Sequence, residues 1–253
     1  MKISVITVCH NAGPTIARTL KSVREQTYKN IEHIIVDGGS TDNTLDVISE
    51  HGLHVTKVIS GRDNGIYEAM NKGIQLATGD VVGFINADDF YDNNAVLARV
   101  ADLMLVDNLD VLYGNVEFFR PNNLNVVVRT FDSAHFMPHR LGCGWMPAHP
   151  ALFVRRKLFE LHGGFSVEYQ IAGDFEFIAR IFKNADLNYR HLPLSLVRMQ
   201  TGGVSTRGWR SALLINQEMM RACRANGIST SWIKLLSRYP LKIAGFFKVF
   251  TKM

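Results

Sequence analysis

The chain has 253 residues, a net charge of +5 and 47% hydrophobic residues, which is the composition of an ordinary globular protein with one large domain or two small ones. Its three cysteines lie far apart and form no CxxC pair, which argues against a disulfide framework or a cysteine zinc site and favours a reducing compartment. No apolar run is long enough to predict a transmembrane helix or a secretory signal peptide.

Residues 1 to about 115 alternate strand and helix patterns. Short apolar runs predict strands, and apolar residues at helical spacing predict helices between them. The predicted strands are Ile3 to Val8, Ile31 to Val36, His54 to Ile59, Val81 to Ile85 and Val111 to Tyr113. Because strands alternate with helices, the pattern predicts a mostly parallel sheet with right-handed crossovers.

The pattern changes after Gly114. Two strand-like runs, Val116 to Phe119 and Asn125 to Thr130, flank a turn-rich link and predict a hairpin. A further strand is predicted at Ala151 to Val154, and a helix is predicted from Asp174 to Asn184. Since no linker interrupts the chain, we expect a single α/β domain over residues 1–206 and a C-terminal helical tail over residues 207–253.

The stretch from Asp80 to Asp89 contains the predicted strand Val81 to Ile85 and the polar residues that follow it. The residues of this strand do not alternate with polar ones, which is typical of a strand buried on both faces. The apolar run ends at Asn86, Asp88 and Asp89. Ligands of open α/β sheets bind at this carboxyl edge. Adjacent acids repel each other unless a cation lies between them, so Mg²⁺ or Mn²⁺ beside a phosphate is the simplest candidate. The alternative is that the aspartates start a surface turn or cap a helix.

Polar residues also follow the first two predicted strands. His10 and Asn11 come after the first strand, and Asp37 comes after the second, next to two glycines that allow a ligand to approach the backbone. Such convergence favours a ligand site over three independent turns. No GxGxxG and no GxxxxGK[ST] is present, so a dinucleotide site and a P-loop are disfavoured.

Six stretches resemble the family 2 glycosyltransferases, which have a GT-A fold. They occur in the family's order and cover residues 1 to about 205, and the nearest likeness is to bacterial exopolysaccharide enzymes, including those of colanic acid synthesis. The stretches are Ile3 to Val8, Ile35 to Thr44, Asp63 to Gly73, Phe84 to Asp89, His149 to Arg156 and Gly173 to Glu176.

The resemblance implies roles for individual residues. Asp37 would bind the base of a nucleotide-sugar donor, Asp88 would bind the metal on the donor's diphosphate with Asp89 beside it, and Asp174 would be the catalytic base. The implied donor nucleotide site contains Thr7, Asn11, Asp37, Asp63 and Asp88, and the implied metal site contains Asp88 and Asp89 with Mg²⁺ or Mn²⁺.

Two positions depart from the family's pattern. Asn86 stands where the first acid of the DxD motif is expected, which leaves one fewer charge on the metal, and Gly173 replaces the glutamate that precedes the catalytic aspartate. Alternatives stay open for three acids: Asp37 as a turn residue, Asp63 as a helix N-cap, and Asp174 as a helix-start acid favoured by the dipole.

The predicted activity is the inverting transfer of a sugar from a nucleotide-sugar to an acceptor hydroxyl. The QxxRW motif of processive enzymes is missing, which implies transfer of a single sugar. We expect a lipid-linked saccharide acceptor in bacterial surface polysaccharide biosynthesis, at the cytoplasmic face of the membrane, and no nucleic-acid partner. A nucleotidyltransferase and a non-catalytic membrane-associated assembly protein of the same fold are the alternatives.

Charge is concentrated at the C-terminal end. Residues 207–253 carry nine Lys or Arg and one acid, giving +8, whereas the remainder carries −3. Bulky apolar residues are interleaved with basic ones from Trp232 to Lys252, on both sides of Pro240. This mixture predicts an interfacial helix pair on an anionic membrane surface. A packed C-terminal helix or a subunit interface is the alternative.

Overall fold

The computed structural model describes residues 1–121, 123–183, 186–202 and 208–239. Its strands are β1 (Ile3–Cys9), β2 (Ile31–Asp37), β3 (Lys57–Ser60), β4 (Val81–Phe84), β5 (Phe90–Tyr91), β6 (Val111–Arg120), β7 (Asn123–Phe131), β8 (Leu152–Arg155) and β9 (Tyr189–Gln200). Its helices are α1 (Gly13–Arg24), α2 (Thr44–His51), α3 (Ile66–Leu76), α4 (Val96–Val106), α5 (Arg156–His162), α6 (Gly173–Phe182), α7 (Trp209–Ala225) and α8 (Trp232–Leu236).

The strands form one nine-stranded sheet in the order β3-β2-β1-β4-β8-β6-β9-β5, with β7 paired to β6. The first four strands are parallel to one another, whereas β8 is antiparallel to both of its neighbours. β9 returns parallel to β6. The predicted single α/β domain is confirmed, and its parallel half brings the carboxyl ends of β1 to β4 to one edge.

Helices cover both faces of the sheet because the central strands are apolar on both sides. Every residue of β1 and β4 is buried. Helix α3 packs so closely on β1 that a methyl group at Gly73 would lie 2.5 Å from Ile6 Cγ2. Helix α4 packs on the opposite face, where Leu97 joins Leu112 and Phe153 in a second core cluster.

Several elements differ from the prediction. β6 continues through Gly114 as one ten-residue strand, and β3 begins at Lys57 rather than at His54. The twelve-residue β9 was not predicted, because Pro193 and charged residues mask a strand pattern of which only Leu196 and Val197 are fully buried. The predicted helix from Asp174 is confirmed as α6, although the predicted end at Asn184 lies outside the described residues.

The described part of the C-terminal segment packs on the domain. Met219 and Met220 of α7 and Leu235 of α8 belong to the same core cluster as β1 and α6. Residues 240–253, with most of the predicted interfacial helix pair, lie outside the described residues. Within the described ranges, none of the helices combines the length and apolar character that crossing a bilayer needs.

Candidate active site

The carboxyl ends of β1, β2 and β3 are joined by backbone hydrogen bonds that extend the sheet into its loops. Gly38 N–H donates to the Cys9 carbonyl at 2.9 Å, and Gly61 N–H donates to the Asp37 carbonyl at 3.0 Å. β4 lies on the other side of β1, so the Asn86–Asp89 loop leaves the sheet at the same edge. The predicted convergence of polar strand ends is therefore present.

Asp37 is fully buried and organises the loop that follows β2. Its carboxylate accepts hydrogen bonds from Gly39 N (3.2 Å), Ser40 N (3.1 Å) and the Ser60 hydroxyl on β3 (2.6 Å). Burial works to raise the pKa of Asp37, but the bonds from Ser40 and Ser60 outweigh it and lower that pKa. Asp37 thus holds an ionised carboxylate inside the turn and fixes the shape of the Gly38–Ser40 loop.

Asn11 ties the loop after β1 to the loop after β2. Its backbone is left-handed, with φ +50°, a conformation that asparagine tolerates better than most residues. Asn11 N–H donates to the Ser40 hydroxyl at 2.8 Å, and its side-chain oxygen accepts from Thr41 N at 2.8 Å. Asn11 is exposed at the edge, so it shapes the surface that a donor would meet.

Thr7 does not reach this edge. It is fully buried within β1, and its hydroxyl lies 3.0 Å from Nε2 of the buried His33 on β2. A donor could contact Thr7 only by opening the core beneath α1 and α2. We therefore leave Thr7 out of the donor site proposed below.

Asp63 lies in the loop between β3 and α3, beside Gly38 at the carboxyl edge of the sheet. One oxygen pairs with Lys72, but Oδ2 is buried and has no hydrogen-bond partner among the described residues. This oxygen faces Gly38, where an added methyl group would lie 3.3 Å away. Helix α3 has its N-cap at Gly65, so Asp63 is not serving as its cap. A buried acceptor without a donor is costly, and a ligand N–H or O–H would satisfy it.

The two adjacent aspartates after β4 occupy different environments. Asp89 is 1% exposed, and its carboxylate accepts hydrogen bonds from Asn86 Nδ2 (3.0 Å) and Gln200 N (3.2 Å). Burial, with Asp88 as the second cause, raises the pKa of Asp89. Asp88 is only partly buried. Asp89 and Asn86 therefore hold the loop, and Asp88 is the more exposed carboxylate of the pair.

Arg18 on α1 contacts the loop that contains Asp88. Its guanidinium donates to the Asp88 carbonyl at 2.9 Å and lies 5.0 Å from the ring centres of Phe90 and Phe119. Sequence motifs gave no sign of this residue, because Arg18 lies on a helix 70 positions from its partner.

Asp88 is the residue at this edge that would hold a divalent cation. Within the described ranges, no three His, Cys, Asp or Glu side chains converge as a metal cluster. A magnesium-type ion beside a diphosphate keeps waters and phosphate oxygens as most of its ligands, so one or two carboxylates suffice. The hydrogen bonds of Asp89 leave Asp88 as the freer ligand of the predicted pair.

Asp174 lies in the first turn of α6, next to the first turn of α3. Its Oδ1 accepts from Phe175 N at 2.8 Å and lies 3.5 Å from the Tyr67 hydroxyl. Burial raises the pKa of Asp174 to about 6, against the opposing effect of these hydrogen bonds. A carboxylate with such a pKa is well suited to accept a proton near neutral pH.

The glycine before Asp174 has a packing reason. A methyl group at Gly173 would lie 2.7 Å from the Tyr67 ring, so a glutamate there would push α6 away from α3. Tyr67 also donates to the Ile171 carbonyl at 2.6 Å. Tyr67 was not predicted as a site residue, although it lies inside the Asp63 to Gly73 motif.

His149 lies beside the end of β4. Its ring stacks on Phe84 with the centres 5.2 Å apart, and burial lowers its pKa to about 4. Its Nε2 is buried and has no hydrogen-bond partner among the described residues. His149 is therefore a neutral packed ring with one free nitrogen.

The chain is similar to known proteins in sequence and in structure. The profile described as glycosyl transferase family 2 matches residues 4–163. The PGL/p-HBAD biosynthesis glycosyltransferase of Mycobacterium bovis (strain BCG / Pasteur 1173P2) is 33% identical over 207 residues, which cover 80% of this chain and 78% of that protein.

Solved structures share the fold at low sequence identity. S. aureus TarS 1-349 in complex with UDP-GlcNAc superposes with a TM-score of 0.70 at 22% identity, over 89% of this chain and 66% of that chain. The mannosyltransferase PcManGT from Pyrobaculum calidifontis, in complex with GDP-Man and Mn²⁺, gives a TM-score of 0.62 at 20% identity, over 92% of this chain and 66% of that chain. These likenesses confirm the predicted fold.

Proposed function

Because the chain belongs to glycosyltransferase family 2, we propose that it moves one sugar from a nucleotide-sugar donor to a hydroxyl of a saccharide acceptor, with inversion at the anomeric carbon. The observation that carries the proposal is that two different carboxylates lie at the start of α3. Asp63, just before this helix, has an oxygen without a hydrogen-bond partner among the described residues, and Tyr67 in its first turn contacts Asp174, whose pKa is raised to about 6.

In the proposed reaction, Asp174 takes the proton of the acceptor hydroxyl. The acceptor oxygen then forms a bond to the anomeric carbon while the bond from that carbon to the diphosphate oxygen breaks, and the nucleoside diphosphate leaves. This proposed reaction uses one base and forms no bond between the sugar and the protein, so it is a single displacement, which inverts the anomeric carbon.

We propose that donor recognition uses Asp63 and Asp88, on a loop framework held by Asp37 and Asn11. Asp63 Oδ2 would accept a hydrogen bond from the nucleoside. Mg²⁺ or Mn²⁺ at Asp88 would supply a Lewis acid for the departing diphosphate. PcManGT, of the same fold, was solved with GDP-Man and Mn²⁺.

The decisive experiment identifies the phosphate product. The protein is first screened by thermal shift against UDP-, GDP- and dTDP-sugars with Mn²⁺, since a ligand at about 100 times its Kd adds about 2.7 kcal/mol of stability. The stabilising donor is then incubated with saccharide acceptors. Release of nucleoside diphosphate with an inverted glycoside supports the proposal. Pyrophosphate would indicate nucleotidyl transfer, and binding without turnover would indicate a non-catalytic assembly protein.

We further propose that the acceptor is lipid-linked, within bacterial surface polysaccharide biosynthesis, and that the C-terminal helices bring the protein to an anionic cytoplasmic leaflet. Trp209 on α7 and Ile233 on α8 are 72% and 83% exposed, and Arg210 and Lys234 stand next to them in the chain. Exposed apolar side chains beside cations favour an anionic interface.

Vesicle binding tests the membrane proposal. The Trp209→Ser, Ile233→Ser double variant should bind phosphatidylglycerol vesicles less than the unmodified protein, while neither should bind phosphatidylcholine vesicles. Leu53→Ser is the matched control, because Leu53 is 92% exposed on the loop after α2. Equal binding by the double variant and the control would contradict a role for these side chains.

A further inference from the structure

The loop before α6 is held by side chains of α7. Three consecutive N–H groups donate to the Glu218 carboxylate: Gln170 N to Oε1 at 2.7 Å, and Ile171 N and Ala172 N to Oε2 at 2.9 and 2.8 Å. One turn further along α7, Arg221 donates to the Glu168 carbonyl at 2.6 Å. We name the segment 168–172 the base loop, because it leads directly into Asp174.

Glu218 is an unusual residue for its position. It is the only acid between residues 207 and 253, and it is 6% exposed. A buried carboxylate is costly unless hydrogen bonds compensate it, and the base loop provides three of them. Ala172 is the N-cap residue of α6 and has no capping side chain, and its own N–H is one of the three groups that donate to Glu218.

The opposite side of the base loop is held by α3. The Tyr67 hydroxyl donates to the Ile171 carbonyl at 2.6 Å and reaches Asp174 Oδ1 at 3.5 Å. The N–H groups of the loop therefore point to α7, and this carbonyl points to α3. With both sides fixed, the first turn of α6 has a defined direction, and so has the carboxylate of Asp174.

We propose that Glu218 is a positioning residue for the catalytic base: its carboxylate on α7 sets the base loop and thereby aims Asp174 at the acceptor. This inference rests on the proposed function, in which Asp174 is the base. Tyr67 from α3 and Glu218 from α7 are the titratable side chains that act on Asp174 among the described residues. The negative charge of Glu218 adds to burial in raising the Asp174 pKa, so positioning and proton affinity are linked.

The test uses the full chain with Glu218→Gln, which keeps the size of the side chain and removes its charge and one strong acceptor. We expect donor Kd to stay within twofold and kcat to fall by about 10²-fold, the usual cost of misplacing a reacting group by about 1 Å. The acid limb of the kcat–pH profile should move to lower pH, because a negative neighbour of the base is gone. A purely structural role would lower the melting temperature without moving that limb.

Two further variants keep the test decisive. Glu218→Asp retains the charge, so it should lower kcat while leaving the acid limb in place, and it substitutes for Glu218→Gln if that variant does not fold. Glu32→Gln is the matched control, because Glu32 is another buried carboxylate, 2% exposed, that accepts from Ser4 and Thr78. Glu32→Gln should lower stability and leave the acid limb unchanged.

The outcomes separate this inference from the proposed function. A folded Glu218→Gln with unchanged kcat and an unmoved acid limb would overturn the positioning role, even if Asp174→Asn is inactive. An active Asp174→Asn would instead overturn the assignment of the base, whatever Glu218→Gln does. Loss of donor binding in Glu218→Gln would also overturn the inference, because it would place Glu218 in the donor site.

Discussion

The donor edge and the base site are built in different ways. The donor edge uses four parallel strands from the first 90 residues, and its loops are joined by bonds such as Gly38 N to the Cys9 carbonyl. The base site combines Tyr67, Asp174 and Glu218, which come from three helices far apart in the sequence. The donor edge is thus a property of one sheet, whereas the base site depends on how helices pack.

Because the two sites are built differently, substitutions in one should change donor affinity and substitutions in the other should change kcat. Changes at the donor edge should act on donor affinity, because Asp63 and Asp88 are the carboxylates that we propose for donor and metal binding. Changes around Asp174 should act on turnover, because they leave the sheet edge intact.

The largest effect is expected for Asp88→Ala. Removing the carboxylate that faces the edge should abolish metal-dependent donor binding and reduce transfer to background, because the cation loses its protein ligand. The measurements are donor Kd by calorimetry with and without Mn²⁺, and nucleoside diphosphate release. Asp46→Ala, an exposed acid in the first turn of α2, is the control. Full activity in EDTA would contradict the metal assignment.

Asp174→Asn should reduce kcat by about 10² to 10⁴, the usual contribution of a general base. Donor Kd and its metal dependence should stay unchanged, since the side chain lies on α6 and its hydrogen bonds go to Phe175 and Tyr67. In the unmodified protein, kcat should fall as the pH drops below about 6, because the carboxylate whose pKa is raised becomes protonated. Weakened donor binding in this variant would move Asp174 to the donor site.

Asp63→Asn should weaken donor binding by about 10- to 100-fold with a smaller effect on kcat. A hydrogen bond to a charged acceptor contributes about 1.5–3 kcal/mol, and about 1.4 kcal/mol corresponds to a factor of ten in Kd. Glu68→Gln is a matched control, because Lys72 pairs with both Asp63 and Glu68. Equal losses in the two variants would show that the lysine network, and not the Asp63 carboxylate, supports donor binding.

The smallest effect near neutral pH is expected on the free energy of unfolding, and it comes from the neighbouring histidines His33 and His54. Burial, and then the neighbouring His54, lowers the pKa of His33 to about 3, below its ordinary value of 6.5. Between pH 6.5 and about 3, His33 therefore binds a proton in the unfolded chain but not in the folded chain. Stability contributed by neutral His33 is complete above pH 6.5 and falls toward pH 3, by up to about 1.4 kcal/mol per pH unit.

Urea unfolding between pH 7 and pH 4.5 measures this slope. His33→Gln should flatten the pH dependence, whatever its effect on stability at pH 7. His51→Gln, at the end of α2, should leave the slope as it is. An unchanged slope in His33→Gln would exclude His33 as its source.

The sequence predicted well which polar residues lie at the ends of the parallel strands. Apolar runs followed by Asp37 or Asp88 predicted which side chains meet at one edge, because parallel strands align their carboxyl ends. The environments of the acids were less predictable. Asp37 and Asp89 are buried and hydrogen-bonded, while Asp63 retains a free oxygen, and only the packed loops decide this.

Features formed by distant segments could not be read from motifs. Glu218 gave one signal, as a lone acid in a basic segment, but its partners lie 46 to 48 residues earlier. The twelve-residue β9 contains Pro193 and charged residues, so its sequence pattern is typical of a loop. It forms a strand by pairing in parallel with β6.

If Glu218 positions Asp174 as we propose, its contact with the base loop also implies an order of assembly. A ribosome makes the whole donor edge within the first 90 residues, but Glu218 follows more than a hundred residues later. A nascent or truncated chain that ends before α7 would carry the donor edge with an unbraced Asp174. Efficient sugar transfer would then begin only when translation has passed Glu218, so incomplete chains would consume little activated sugar.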